Sequence, residues 1–377
     1  MQTNLNETKL SINVPIEKIL PAVVGIVALF LGLWTALARL GWAVPTGTAI
    51  AASEHGQLML AFIGTVIGLE RAVASGRSWA YLAPWLSGLG AVFLLLNMPM
   101  QSAALAVFLG SLVLIALFNV FLQTQRTDFM LVMGAGVVCW AIGNAAWLLG
   151  VPIPKLVLWW AGFLILTIVG ERLEMSRLRR RSALAQGTFH FLIVLYIVTL
   201  VLSMFVHSVA LRLNGLVLVA MAMWLIRHDI ARVTIKRPGL PRFAAFSMLS
   251  GYFWMMSAGL FALVWGNMEV DLRYDAWTHA QFLGFAFVMI IAHAPIILPS
   301  LAGVKVTFTR LFYGPLLLLQ ASLLVRIVAD ILVWWPGRLW AGMINVAAVL
   351  AFLGVLATQV IISNRQPGRE KGYEKQT

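Results

Sequence analysis

Twelve runs of roughly twenty mostly apolar residues follow one another along this 377-residue chain, separated by short polar connections. A run of about 20 apolar residues is the length an α-helix needs to cross the hydrocarbon core of a bilayer. The runs fall at 17–38, 53–73, 80–97, 101–122, 129–149 and 155–172, then at 187–207, 210–230, 243–265, 275–298, 308–332 and 338–362. Backbone amides inside lipid must be paired within the segment, so each run can only be a helix. Composition agrees: 61% of residues are hydrophobic and 11% are charged, against about 25% charged in a soluble domain. The expectation is an all-α, polytopic membrane protein. A polar N-terminal tail (1–16) would precede a single twelve-helix domain (17–363), with a polar tail (364–377) after it.

The connections test that count. With the N-terminus in the cytoplasm, twenty-one Lys and Arg fall in or beside cytoplasmic connections and tails, five on the other side, and only Arg326 lies more than a turn inside a segment. This alternation at every loop is the positive-inside pattern, and a miscounted helix would scramble it. The sequence therefore predicts a multi-pass membrane protein with both termini cytoplasmic. The net charge of +13 belongs to topology and anionic lipid rather than nucleic acid, because no basic stripe with interleaved aromatics occurs. Ala36-Leu37-Ala38 has the small-residue form of a signal cleavage site, but the run before it is long for a signal peptide, so a retained first helix is expected. Asn97-Met98-Pro99 reads as a tight hairpin between segments three and four. Tryptophans near segment ends, Trp42, Trp79, Trp159, Trp160, Trp334, Trp335 and Trp340, fit interfacial belts.

Against this background a few polar side chains stand out. His55 lies near the outer end of segment two (SEHGQLMLAFIGTVIGLE) and His279 near the outer end of segment ten (DAWTHAQFLGFAFVMIIAH). An imidazole in a hydrocarbon slab is costly without a partner. Both segments run from outside to inside, so the two histidines share a depth, as ligation of a haem from opposite faces requires. At 100° per residue, Met59 and Phe62 flank His55, while Gly64 and Gly68 lie on the other side and invite a close helix neighbour. On segment ten, Phe282, Leu283 and Ala286 share the face of His279. His293, fourteen residues on, lies within about 40° of that face but about 21 Å along the axis, so it marks a separate inner position, between residues loosened by Pro295 and Pro299. His207 ends segment seven on the outer side, within reach of an outer site. The metal-ligand candidates are thus His55, His279, His207 and His293. Arg326 and Asp330, four residues apart, can pair with each other. Alternatively, Arg326 can hold an anionic ligand group at the depth of His55. Glu70-Arg71 and Glu171-Arg172 sit at cytoplasmic helix ends in similar strings, IGLERAVA and VGERLEMS, and read as helix-end salt bridges or the mouth of a proton path. The single cysteine, Cys139, excludes an internal disulfide and a CxxCH haem attachment. Walker A, HExxH and GxSxG motifs are absent.

Twelve segments with histidines in the second, seventh and tenth, and apolar aromatics beside them, resemble the NnrS family of haem- and copper-associated bacterial membrane proteins linked to nitric-oxide stress. That family is in turn distantly similar to the catalytic subunits of haem-copper oxidases. The resemblance implies a haem-copper-oxidase-like bundle, a haem b held by His55 and His279, Arg326 as a partner for its propionates, and copper as a further metal. The chain departs from the oxidase pattern: segment six carries no His, His190 and His207 in segment seven are not adjacent, and position 281 is Gln. The expected function is haem binding, in a nitric-oxide response or in electron transfer with a membrane redox partner. The sequence assigns no catalytic residue. A secondary transporter of a small solute is the rival, although the inverted pair of broken helices common in transporters is not evident. A non-catalytic partner of a respiratory complex is the third reading.

Overall fold

The computed structural model describes residues 16–45, 54–177, 182–268 and 270–365, and the described residues are helical with no strand. Twelve helices are long and apolar enough to cross a membrane. They are α1 (Ile16–Leu40), α2 (His55–Ser75), α3 (Ser78–Leu95), α4 (Met100–Thr124), α5 (Asp128–Leu148) and α6 (Ile153–Met175). The rest are α7 (Ala183–Leu202), α8 (His207–His228), α9 (Leu240–Trp265), α10 (Leu272–Ala302), α11 (Arg310–Ile331) and α12 (Trp335–Asn364). Each of the twelve sequence segments corresponds to one of them. His207 begins α8 rather than ending α7. Residues 1–15 of the expected N-terminal tail lie outside the described residues, as do residues 366–377 of the C-terminal one.

Local chemistry sets the boundaries. Gly76 closes α2 in the left-handed conformation, at φ 64°, with its amide bonded to the carbonyl of Val73. Asn97 takes a positive φ of 52° in the turn before Pro99, so the expected hairpin forms there. Pro152 and Pro154 open α6, where a missing amide costs nothing.

Consecutive helices pack as antiparallel neighbours, and α10 is gripped by α9, α6 and α11. The bundle turns around α6, whose apolar window is 83% buried, against 28% for α12 at the periphery. Large apolar side chains such as Phe191, Phe205 and Val264 face outward, as lipid permits. The expected close neighbour of Gly64 and Gly68 is α3: a Cβ on Gly68 would sit 3.1 Å from the backbone nitrogen of Pro84. At the α8–α9 crossing, a Cβ on Gly259 would lie 2.7 Å from the carbonyl oxygen of Gly215, a backbone approach that only small residues allow.

α10 departs from a plain helix. After a regular stretch from Leu272 to His279 the chain widens into a π-helix over Ala280–Phe287, then returns to α geometry from Val288. Such widenings are frequent at functional sites.

Far from His55, five helices are tied together by ions. Arg71 of α2 bonds Glu171 of α6 and lies 3.3 Å from Glu70. Arg172 of α6 donates to Asp229, just past α8, at 2.9 and 3.3 Å. Tyr252 of α9 donates to the same carboxylate at 3.0 Å, and Arg172 lies 3.1 Å from Nε2 of His293 on α10. The two similar strings at helix ends therefore meet: Arg71 of the first pairs with Glu171 of the second.

Candidate functional site

At the opposite end the helices part around a cavity of about 640 Å³, within the range of about 300–1,000 Å³ usual for ligand pockets. His55, His279 and Arg326 all line it. His207 and His293 do not; the second belongs to the ion cluster just described.

His55 is the first residue of α2, and its Nδ1 lies 2.7 Å from the carbonyl oxygen of Gly32 on α1. His279 reaches back one turn, its Nδ1 2.8 Å from the carbonyl oxygen of Asp275. A carbonyl only accepts, so each Nδ1 carries the proton and donates, leaving the lone pair on Nε2. This is the tautomer and the outer bond that metal-ligating histidines commonly show. The two rings lie 6.5 Å apart, centre to centre, with planes only 4° from parallel. Two metal–imidazole bonds of about 2 Å, plus half a ring on each side, separate trans imidazoles by about that distance. The ring separation and the near-parallel planes match that distance, and each ring keeps Nε2 free of the backbone bond made at Nδ1.

The walls are those the helical periodicity pointed to, with additions from other helices. Met59 and Phe62 of α2 face Phe282, Leu283 and Phe287 of α10, and the rings of Phe62 and Phe287 lie 6.5 Å apart. Trp160 of α6 lines the cavity as well and donates from Nε1 to Asn144 at 3.0 Å, so its place is interior rather than interfacial. Ala286 is buried but does not line the cavity.

The polar rim corrects one expectation. Arg326 does not pair with Asp330 one turn along its own helix. It forks onto Asp275 of α10, with Nε at 3.0 Å and Nη2 at 3.1 and 2.9 Å from the carboxylate oxygens. A two-pronged bond to one carboxylate is the geometry a guanidinium favours. Asp330 is instead held by Arg338 of α12, whose Nε donates at 2.8 Å and whose Nη2 lies 3.4 Å from Asp275. Arg338 lines the cavity together with Arg39 of α1. Neither was picked out in the sequence, where both fall in outer connections; their signal was proximity to segment ends that also carry tryptophan.

No group of three or more His, Cys, Asp or Glu side chains placed to share a metal ion occurs among the described residues. The copper that the family resemblance implies therefore has no such ligand set there, whereas a metal held by two protein ligands needs only the facing pair.

Fold and site together define a class: a twelve-span helical membrane protein with two near-parallel imidazoles lining one largely apolar cavity. The chain belongs to a family described as "Domain of unknown function (DUF8744)", whose profile matches residues 18–361. No curated protein matches it.

Proposed function

We propose that this protein binds a haem noncovalently between His55 and His279 and serves in electron transfer or the nitric-oxide response within a bacterial inner membrane. The observation that carries this reading is the pair of near-parallel imidazoles at 6.5 Å, each oriented by a carbonyl at Nδ1. The apolar walls suit a macrocycle, and Arg39 and Arg338 at the rim suit its carboxylates. The loop charges favour cytoplasmic termini, which would place the cavity in the outer half of the bilayer. His55 and His279 would both hold the iron, and a haem bound by two imidazoles would supply electron exchange with a membrane partner rather than ligand capture.

The test is a dithionite-reduced minus oxidised spectrum of the detergent-purified, haem-replete protein, beside His55→Ala and His279→Ala. Sharp low-spin bands in the wild type, lost in each variant, are expected. A featureless wild-type spectrum would sink the haem reading and leave the transporter reading to be tested by solute-dependent stabilisation.

A further inference from the structure

The two histidines are not supported alike. Among the described residues His55 bonds a backbone carbonyl, whereas His279 bonds a carbonyl whose own residue carries a charged side chain. Besides the carbonyl at 2.8 Å, the carboxylate of Asp275 lies 3.5 Å from Nδ1 of His279. That carboxylate is clamped by Arg326 of α11 and approached by Arg338 of α12, and the three side chains are between 7 and 14% exposed. Asp330, fully shielded, competes for Arg338. One acidic residue thus connects an imidazole of the pair to two further helices. The carbonyl and the carboxylate both approach the same ring atom, Nδ1.

We infer that Asp275 is a positioning residue that holds the His279 ring parallel to His55 and, with Arg326 and Arg338, sets the redox potential of the metal between them. This rests on the haem reading above. The physical basis is that groups bonded to a metal-ligating histidine orient it and tune its basicity, and that charge near a haem shifts its potential. Removing the Asp275 charge leaves Arg326 uncompensated and Arg338 with Asp330 alone, a net gain of positive charge that favours the reduced, less positive iron. Removing Arg338 does the opposite.

The experiment is redox titration and low-spin electron paramagnetic resonance of the purified, haem-loaded full chain, wild type against Asp275→Asn, Asp275→Glu and Arg338→Gln. Asp275→Asn is expected to raise the potential by at least a tenfold shift in the oxidised-to-reduced equilibrium, about 59 mV for one electron. Its resonance signature, which reads the angle between imidazole planes, should leave the parallel class. Asp275→Glu should return the potential toward wild type, and Arg338→Gln should lower it. Haem that is lost while the remainder keeps the wild-type potential and resonance would make Asp275 purely structural and overturn the inference. Should Asp275→Asn not accumulate, an unchanged potential in Arg338→Gln overturns it alone. A wild type without haem fails at the earlier reading and is told apart by its blank spectrum.

Discussion

His279 and His293 sit on one helix and make the same local bond, yet the two ends of the bundle use them oppositely. Each turns its Nδ1 to the carbonyl one turn back, at 2.8 Å to Asp275 and 2.7 Å to Met289. At His293 the other nitrogen is met by Arg172 at 3.1 Å, so the lone pair is spent on a guanidinium inside a packed ion cluster. At His279 that nitrogen belongs to a ring bordering a cavity of about 640 Å³, opposite a second imidazole. On the proposed haem reading, a buried histidine is thus a strut or a ligand according to what stands beyond its free nitrogen. Residue type and tautomer do not decide it.

The largest effect should come from breaking the strut end. Arg172→Met leaves Asp229 buried without its ion partner, and such a loss costs about 3–5 kcal/mol. Denaturant or thermal unfolding in micelles should show this, while whatever protein stays folded keeps its haem bands. Next, Gly259→Val forces apart the α8–α9 crossing, where an added Cβ would lie 2.7 Å from a carbonyl oxygen, at about 1–3 kcal/mol for overpacking. It should lower the unfolding midpoint without touching the spectrum. The third pair of variants bears on the comparison itself. His293→Leu should cost about 1.5–3 kcal/mol, the worth of a hydrogen bond to a charged group, and spare the spectrum. His279→Leu should abolish the spectrum with a smaller loss of stability in the haem-free protein. Equal spectral loss in both would dissolve the distinction between the ends. The smallest effect belongs to the exposed pair His190–Asp128, 3.1 Å apart: His190→Ala should change stability by about 1 kcal/mol or less, as surface ion pairs do, and leave the bands alone.

The helix count was legible because lipid forces every backbone amide into its own segment, so hydropathy and loop charge alone locate the spans. The Asn97–Pro99 hairpin and the small-residue face of α2 were legible for local reasons of conformation and size. Pairing between helices was not. Arg326 was read against Asp330 because four-residue spacing is visible in a string, whereas Asp275, 51 positions away, is visible only in three dimensions. The meeting of Arg71 with Glu171 was hidden for the same reason. That α2 and α10 bring their histidines together could be expected only from matching depth. The widening of α10 has no marker in AQFLGFAF, whose residues suit an ordinary helix equally well.

That widening acts as a phase shift. In an uninterrupted α-helix, fourteen residues would return His293 to within about 40° of the direction of His279, and the two would look toward the same neighbour. Instead one ring faces α2 and the other faces α6. The π-helical stretch from Ala280 to Phe287 works like a rotary joint set at a fixed angle, and its setting is counted in residues. Deleting one of them would turn the lower half of the helix by about 100° against the upper. His279 and His293 could then no longer both keep their partners, so the reading frame of this short stretch is as much a part of the site as the histidines.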